Sequence, residues 1–245
     1  MKSYRLKIEL RSPVITPFTA DTIFGHIAWA LRYMQGDKFL TDFLLEFDSS
    51  APLIISNGFP EGFLPRPCSV PLYENEEKEF LNKYYSENKI QGYSALKNLK
   101  KFKYIHKDIF ENLINKYTDY NLYKLMFDEE YCPQNFRERP DICTEPVDKC
   151  PVLYPSADRN KTCQYIGREK DEILVAHNTI NRLTNTVSKN GSFYQQKEIF
   201  YKEGMKFDIY FKVKENYFSF IKEAFHFISN SGYGKDKSTG KGYFK

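Results

Sequence analysis

The two ends of the chain carry the same pattern, an alternating segment followed by a segment with helical spacing. Residues 3–11 alternate apolar and charged side chains, and apolar residues recur at helical spacing across 21–35. Residues 206–213 alternate in the same way, with helical spacing across 216–229. Strict alternation is typical of a strand with one buried face, and the longer period is typical of a helix packed on one side. The chain is therefore predicted to be an α+β protein with two strand–helix openings of related design.

A single strand with a single helix cannot bury its apolar surfaces, so the second opening needs further strands. Those strands could come from distant segments such as 173–201, or the second domain could be truncated. We predict an N-terminal domain at 1–130 with a helical insertion, an irregular insertion at 131–172 and a C-terminal domain at 173–245. Residues 59–67 contain three prolines. They predict an irregular loop, because each proline removes a main-chain donor.

Composition limits the classes of protein to which the chain can belong. Hydrophobic residues make up 41% of the chain, but no apolar run is long enough to span a bilayer. The first residues alternate charged and apolar side chains, unlike a signal peptide. Of five cysteines, four lie within 132–163, yet their spacing contains no CxxC pair and fits no common zinc signature. We predict a cytoplasmic protein with no membrane contact, no metal and no cofactor.

Residues 232–242, called the glycine loop below, carry four glycines and three lysines. Glycines allow main-chain N–H groups to approach a ligand closely, and consecutive N–H groups form anion-binding concavities. The spacing is not that of a P-loop, because Gly242 follows Lys241 where a Ser or Thr is required. Residues 176–245 hold 12 Lys and Arg against 6 Asp and Glu, while the rest of the chain holds 24 against 26. The loop is therefore predicted to bind the phosphates of a polyanion.

Four segments of the chain follow one another in an order that a known family shares. They read TADTIFGHIAWALRYMQG from residue 19, FPEGFLPRP from residue 59, HNTINRLTNTV from residue 177 and SGYGKDKSTGKGYF from residue 231. On these segments the chain resembles the RAMP-superfamily subunit four of the Csm complex, which is the type III-A CRISPR effector. The resemblance covers the four segments quoted above, near both ends of the chain and between them. No motif of the family aligns within 75–172.

The resemblance implies two ferredoxin-like (RRM-like) domains, with the glycine loop in the second. It also implies a non-catalytic subunit that caps the 5′ handle of CRISPR RNA, similar to the Cas-five group. The expected partners are the crRNA 5′ handle, the large polymerase-like Csm subunit and the backbone Csm subunit. An alternative within CRISPR systems is the equivalent capping subunit of the type III-B complex.

The resemblance assigns the handle contacts to the glycine loop and to a few residues outside it. The residues expected in the loop are Gly232, Gly234, Lys235, Lys237, Ser238, Thr239, Gly240, Lys241 and Gly242. Asn178, Asn181 and Arg182 carry amide and guanidinium groups that can read base edges or the 2′-hydroxyl of RNA. Alternatively, Asn181 and Arg182 satisfy loop backbone groups. Arg66 could contact RNA or a neighbouring subunit, or could hold a rigid turn.

His26 raises the main alternative from another functional class. An imidazole one turn into the first helix could act as a general acid or base, and some RAMP relatives cleave CRISPR RNA with a histidine. The alternative is therefore a metal-independent endoribonuclease that processes precursor CRISPR RNA. His26 could instead pack between domains or touch RNA. The sequence shows no second catalytic residue that can be paired with it, so we predict a protein that is not an enzyme.

Overall fold

The computed structural model describes residues 1–100, 103–128, 170–178, 180–181, 183–184, 186–187, 193–201 and 203–245. The chain divides into two compact units. Unit 1 is built from both ends of the chain, Met1–Glu61 and Arg168–Lys245, and unit 2 is Gly62–Gly167.

The described residues contain nine strands and seven α-helices. The strands are β1 (Lys2–Glu9), β2 (Leu53–Pro60), β3 (Phe63–Pro65), β4 (Tyr104–His106), β5 (Lys170–Asn178), β6 (Ile180–Asn181), β7 (Thr186–Val187), β8 (Phe193–Tyr201) and β9 (Lys206–Val213). The helices are α1 (Ala20–Gln35), α2 (Asp37–Leu45), α3 (Glu74–Tyr84), α4 (Lys89–Leu99), α5 (Lys107–Leu113), α6 (Asp119–Asp128) and α7 (Phe218–Ser231).

The main sheet of unit 1 joins strands from opposite ends of the chain. Its order is β1-β9-β2, and both pairings are antiparallel. β1 and β9 pair along their whole length, from Lys2 opposite Val213 to Glu9 opposite Lys206. At the free edge of β1, the main chains of Glu9 and Lys245 exchange two hydrogen bonds of 2.9 Å. The last residues therefore extend the sheet by a short fourth segment.

The predicted strands and helices at the two chain ends are confirmed, but they do not form two separate sheets. β1 with α1 and β9 with α7 complete each other within unit 1, because their apolar faces share one core. The structure does not confirm a ferredoxin-like domain at each end, since the described strands and helices of both ends form one β-α-β…β-α-β arrangement within unit 1. The division predicted at residues 130 and 172 differs from the observed units for the same reason.

The core of unit 1 lies between this sheet and helices α1 and α7. The buried residues at its centre alternate along the strands and recur at helical spacing along the helices. They include Ile8, Ile209 and Val213 from the sheet, Ile27 and Leu31 from α1, and Ile221, Phe225 and Ile228 from α7. Burial of each such side chain contributes about 1.5–3 kcal/mol, so this core holds the two chain ends together.

Strands β5 and β8 form an antiparallel ribbon of their own. Lys170 lies opposite Tyr201 at one end of the ribbon, and Asn178 lies opposite Phe193 at the other. Val14 and Ile199 exchange main-chain hydrogen bonds of 3.0 and 2.8 Å, which fix the ribbon to the segment before α1. Segment 173–201 therefore does not supply the missing strands of the main sheet.

Unit 2 contains α3 to α6 and the antiparallel pair β3–β4 around a separate apolar core. The helical insertion predicted at 75–130 is confirmed by these four helices. The irregular loop predicted at 59–67 is corrected, because Phe59 and Pro60 end β2 while Phe63–Pro65 form β3. Pro60 lies on an edge strand of its sheet, where the missing N–H costs no ladder hydrogen bond.

Two expected absences concern the described residues only. No helix in the described part of the chain is long and apolar enough to cross a membrane. Within the same residues, no group of three or more His, Cys, Asp or Glu side chains could hold a metal ion. The described cysteine, Cys68, is exposed. The cysteines considered for zinc, Cys132, Cys143, Cys150 and Cys163, lie outside the described residues.

Candidate nucleic-acid interface

The glycine loop starts where α7 ends, and its two arms close on each other. Gly232 has φ +82° and donates its N–H to the Ile228 carbonyl at 2.9 Å, which ends the helix. Tyr233 donates its N–H to the Gly242 carbonyl at 3.0 Å. A Cβ on Gly242 would lie 2.0 Å from the Tyr233 carbonyl oxygen. Glycine is therefore required at this position by close main-chain approach as well as by its φ of +72°.

The stem of the loop is fixed to the segment that leads into α1. The Tyr233 hydroxyl donates to the Pro17 carbonyl at 2.8 Å, and burial raises the pKa of this phenol to about 12. The Lys235 N–H donates to Thr16 Oγ1 at 3.0 Å, and the Gly242 N–H donates to the Pro13 carbonyl at 2.9 Å. The loop is thus an ordered element, and these stem amides are not available to a ligand.

His26 is one of the residues that hold the loop. Its Nε2 accepts the Gly234 N–H at 2.9 Å, and its ring lies 4.9 Å from that of Tyr233. Burial lowers the pKa of His26, and the positive charge of Lys237 lowers it further. The neutral imidazole then carries its proton on Nδ1. Since the Nε2 lone pair is already used, the geometry gives His26 an anchoring role at the site where sequence reasoning also considered catalysis.

The tip of the loop has a different geometry from the stem. Asp236 adopts the left-handed conformation with φ 57°, and a 3₁₀ turn at Lys237–Thr239 follows. Thr239 directs both its N–H and its hydroxyl to the Asp236 carbonyl, at 3.0 and 2.8 Å. Within the described part of the chain, the N–H groups of Asp236, Lys237 and Ser238 have no acceptor. Successive N–H groups in such a left-handed to right-handed step form a concavity that binds anions.

The three lysines of the loop have different surroundings. The Lys235 ammonium donates to Gln196 Oε1, and Gln196 Nε2 donates to Asp236 Oδ2 at 2.7 Å. The Lys241 ammonium forms an ion pair with Glu198. Lys237 forms no ion pair with any residue that the structure describes. The contact of Lys235 leaves its positive charge uncompensated, because Gln196 is a neutral amide.

Glu198 is the most buried charged group near the loop. Its side chain is 1% exposed, and its Oε1 lies 3.6 Å from His177 Nε2 on β5. Glu198 and Gln196 both point from the same face of β8 towards the loop, since they are two residues apart on a strand. Sequence reasoning missed both residues. The signal was present, because two polar side chains at alternate positions of a predicted strand require polar partners if that face is buried.

Arg66 belongs to unit 2, where it is engaged with neighbouring residues. Its guanidinium donates to the Leu99 carbonyl at 2.7 Å and to the Tyr123 hydroxyl at 2.9 Å, and it pairs with Asp119 at 2.6 Å. Burial opposes the charge on Arg66, but the hydrogen bonds to Asp119 and Tyr123 outweigh it and raise its pKa. The side chain is 10% exposed. These contacts give Arg66 a structural role within unit 2, and its contact with RNA or a neighbouring subunit stays a prediction.

The remaining sequence-predicted residues lie on the β5–β8 ribbon or beyond it. Asn178 is exposed at the end of β5, and Asn181 lies in β6 opposite Thr186. Arg182 lies outside the described residues. The structure therefore brings together the glycine loop and His26, and it links them through β8 to the ribbon that ends at Asn178.

Solved structures share this fold. A chain in the crystal structure of a Csm3-Csm4 subcomplex of the type III-A CRISPR-Cas interference complex matches with a TM-score of 0.54 and 14% identity, over 100% of this chain and 68% of that one. A chain in the Csm1-Csm4 cassette in complex with cA4 matches with a TM-score of 0.51 and 17% identity, over 94% of this chain and 67% of that one. Csm4 is the subunit that both complexes have in common. The fold is Csm4-like.

The Csm4-like fold confirms the family resemblance seen in the sequence. The chain spans about two thirds of the length of the chains it matches. No protein-family model matches the sequence, and no curated protein matches it either.

Proposed function

We propose that this Csm4-like chain is a non-catalytic RNA-binding subunit of a type III-A CRISPR-Cas effector, and that its glycine loop binds phosphates of the crRNA 5′ handle. The observation that carries the proposal is the loop tip. There, the N–H groups of Asp236, Lys237 and Ser238 lack acceptors among the described residues, and Lys237 lacks a counter-ion among them. An ordered concavity with a free positive charge suits a phosphate.

The partners in this proposal follow from the shared fold. The matching structures are complexes of Csm4 with Csm1 and of Csm4 with Csm3. We infer that this chain assembles with a large polymerase-like subunit and with a backbone subunit in the same manner. In such an assembly the handle-binding loop positions one end of the guide RNA, and other subunits perform the chemistry.

The salt dependence of RNA binding tests the proposal. Each phosphate contact on single-stranded RNA adds about 0.7 to the slope of log affinity against log salt. We expect Lys237→Ala to reduce that slope by about 0.7 and to weaken binding of a synthetic handle RNA at low salt. The measurement is a fluorescence-anisotropy titration with a labelled handle oligonucleotide over a range of salt concentrations.

A matched control comes from α7. Lys222 is exposed and lies three helical turns before the loop, so Lys222→Ala should leave the slope unchanged. An identical slope for wild type and Lys237→Ala would rule out the loop tip as a phosphate site. Site-specific cleavage of repeat RNA by the purified protein, abolished in His26→Ala, would instead support the endoribonuclease alternative.

A further inference from the structure

An aromatic surface with no assigned role lies on α1 near the glycine loop. It consists of Trp29, Arg32 and Tyr33 of α1 together with Phe227 of α7. Trp29 is 52% exposed and Tyr33 is 68% exposed. Their ring centroids lie 5.7 Å apart, the Arg32 guanidinium carbon lies 5.1 Å from the centre of the Trp29 ring, and Phe227 lies 6.1 Å from Tyr33.

The exposed rings of α1 do not belong to the side of the helix that packs on the core of unit 1. The residues of α1 that face the core are Ile23, Ile27, Ala30 and Leu31, and they are almost fully buried. Trp29 and Tyr33 are four residues apart, so they are neighbours on one face of the helix. Large aromatic rings grouped on a protein surface mark an interaction site.

The aromatic surface is continuous with the loop. His26, which holds the Gly234 N–H, and Trp29 are three residues apart, so they are adjacent on the surface of α1. The rise between them is about 4.5 Å along the helix axis. A Cβ on Gly232 would lie 2.9 Å from Lys237 Cβ, and Gly234 is bonded to His26, so Lys237 lies beside the part of the loop that contacts α1. A strand held by its phosphates at the tip therefore has Trp29 within reach of its bases.

We propose that Trp29 and Tyr33 stack bases of the same single-stranded RNA whose phosphates the glycine loop binds, an inference that rests on the proposed function. Non-specific single-strand sites combine positive charge along the backbone path with aromatic rings that accept any base. Lys237 supplies the first feature and the Trp29–Tyr33 pair supplies the second. Arg32 adds a planar cation beside the indole, which can also stack on a base. Protein interfaces use the same residue types, but continuity with an anion-binding loop favours a nucleic acid.

The chain offers a direct probe, because Trp29 is its single tryptophan. We expect binding of a synthetic handle RNA to the full chain to change the intrinsic tryptophan fluorescence. An oligonucleotide of the same length with abasic sites should bind through its phosphates without that change. Trp29→Ala should weaken binding of the handle RNA by on the order of 10-fold with an unchanged salt slope. Its affinity for the abasic oligonucleotide should equal that of wild type.

Three variants complete the design. Trp29→Phe keeps an aromatic face and should retain most of the affinity. Tyr93→Ala removes another exposed ring, which is 53% exposed on α4 of unit 2, and should have no effect on either oligonucleotide. Lys237→Ala should reduce the salt slope while the fluorescence change at saturation persists. Circular dichroism of each variant confirms that the fold is intact.

The outcomes separate stacking from phosphate binding. Stacking is wrong if Trp29→Ala binds handle RNA as wild type does and the tryptophan fluorescence of wild type does not change on binding. The proposed function still stands in that case if Lys237→Ala lowers the salt slope of RNA binding. If the full chain binds neither oligonucleotide, both proposals are wrong. If Trp29→Ala instead loses only its binding to the Csm1-type or Csm3-type subunit, the aromatic surface is a protein interface and the stacking proposal is overturned.

Discussion

Lys237 and Lys241 look equivalent in the sequence, yet their surroundings assign them different tasks. Lys241 is 20% exposed and neutralises Glu198, a carboxylate that is 1% exposed. Lys237 forms no ion pair within the described residues and lies at the tip. Removing one partner of a buried ion pair is strongly destabilising, because the other charge is left buried and uncompensated. Removing an unpaired lysine leaves no such charge behind. Lys241 should therefore serve the fold, and Lys237 should serve the ligand.

Unfolding measurements can separate these two tasks. We expect Lys241→Ala to lower the free energy of unfolding by about 3 kcal/mol, because Glu198 is left buried without a counter-charge. Lys237→Ala should change it by less than about 0.5 kcal/mol. The check is urea unfolding followed by far-UV circular dichroism. Equal effects would contradict the assignment, and Lys241→Ala combined with Glu198→Gln should recover part of the loss.

The sequence singled out the glycine loop but could not distinguish the surroundings of its lysines. The side chains that distinguish them, Gln196 and Glu198, lie about 40 residues earlier in the chain. Only the packing of β8 against the loop brings them into contact. The same limit explains Arg66, whose partners Asp119 and Tyr123 come from a helix more than 50 residues later. The roles predicted for Asn178, Asn181 and Arg182 remain predictions.

At the scale of elements, the glycine loop is an ordered loop with an anchored stem and a polar tip. The main chain of its stem is anchored at Pro13, Thr16 and His26. Gly240 and Gly242 both have a positive φ, but the space around them differs. Gly242 has no room for a side chain, whereas nothing lies within 4 Å of the Cβ position on Gly240.

This contrast predicts unequal effects of alanine at the two glycines. Gly240→Ala adds only backbone strain, about 1–2 kcal/mol, because its φ is +89°. Gly242→Ala adds the same strain and also a clash with the Tyr233 carbonyl, so its cost should be about 3 kcal/mol or more and it should weaken RNA binding. Thermal unfolding and handle-RNA affinity of both variants provide the check. A Gly242→Ala protein as stable as Gly240→Ala would contradict the closed arms of the loop.

Elements with strong periodicity were predictable, and elements without it were not. Alternation at 206–213 and helical spacing at 21–35 mark β9 and α1 with small errors at their ends. The proline-rich segment was misjudged because its prolines stand at strand ends and edges, where no donor is required. The local sequence pattern thus predicts an element when one of its faces is buried and the other is exposed. It fails when the position of a residue in the sheet determines whether that residue can belong to a strand.

At the scale of the whole molecule, one sheet unites residues from opposite ends of the chain. Strands β1 and β9 and helices α1 and α7 were recognisable from the sequence, but the pairing of the strands was not. An apolar strand face fits any complementary partner, and the ion pair of Arg5 on β1 with the buried Asp208 on β9 is visible only once the two strands are paired. Two copies of a strand–helix pattern therefore suggested two domains, while the structure builds one unit from both.

A cross-strand disulfide can test this pairing. Ser3 lies directly opposite Lys212, and residues in such pairs have Cα atoms about 4.5–5.5 Å apart, within the range for a disulfide. Oxidised Ser3→Cys/Lys212→Cys should form the bond and gain about 3 kcal/mol or more of stability, because the closed loop spans most of the chain. Peptide mapping by mass spectrometry and thermal unfolding provide the measurements.

The control shifts one cysteine along β9. Ser3→Cys/Lys206→Cys places the second thiol six residues away, about 20 Å along the strand, and should stay reduced. Formation of the shifted bond in place of the matched one would contradict the register.

The central place of β9 also affects the order in which the protein takes shape during synthesis. β1 and β2 flank β9 and do not pair with each other, so neither has its partner until residue 213 has left the ribosome. The sequence of unit 2 is translated completely before that point, and domains generally fold as units in the order in which they emerge. The inserted unit should therefore fold first on the nascent chain, while the segment that was translated earliest waits for its partner.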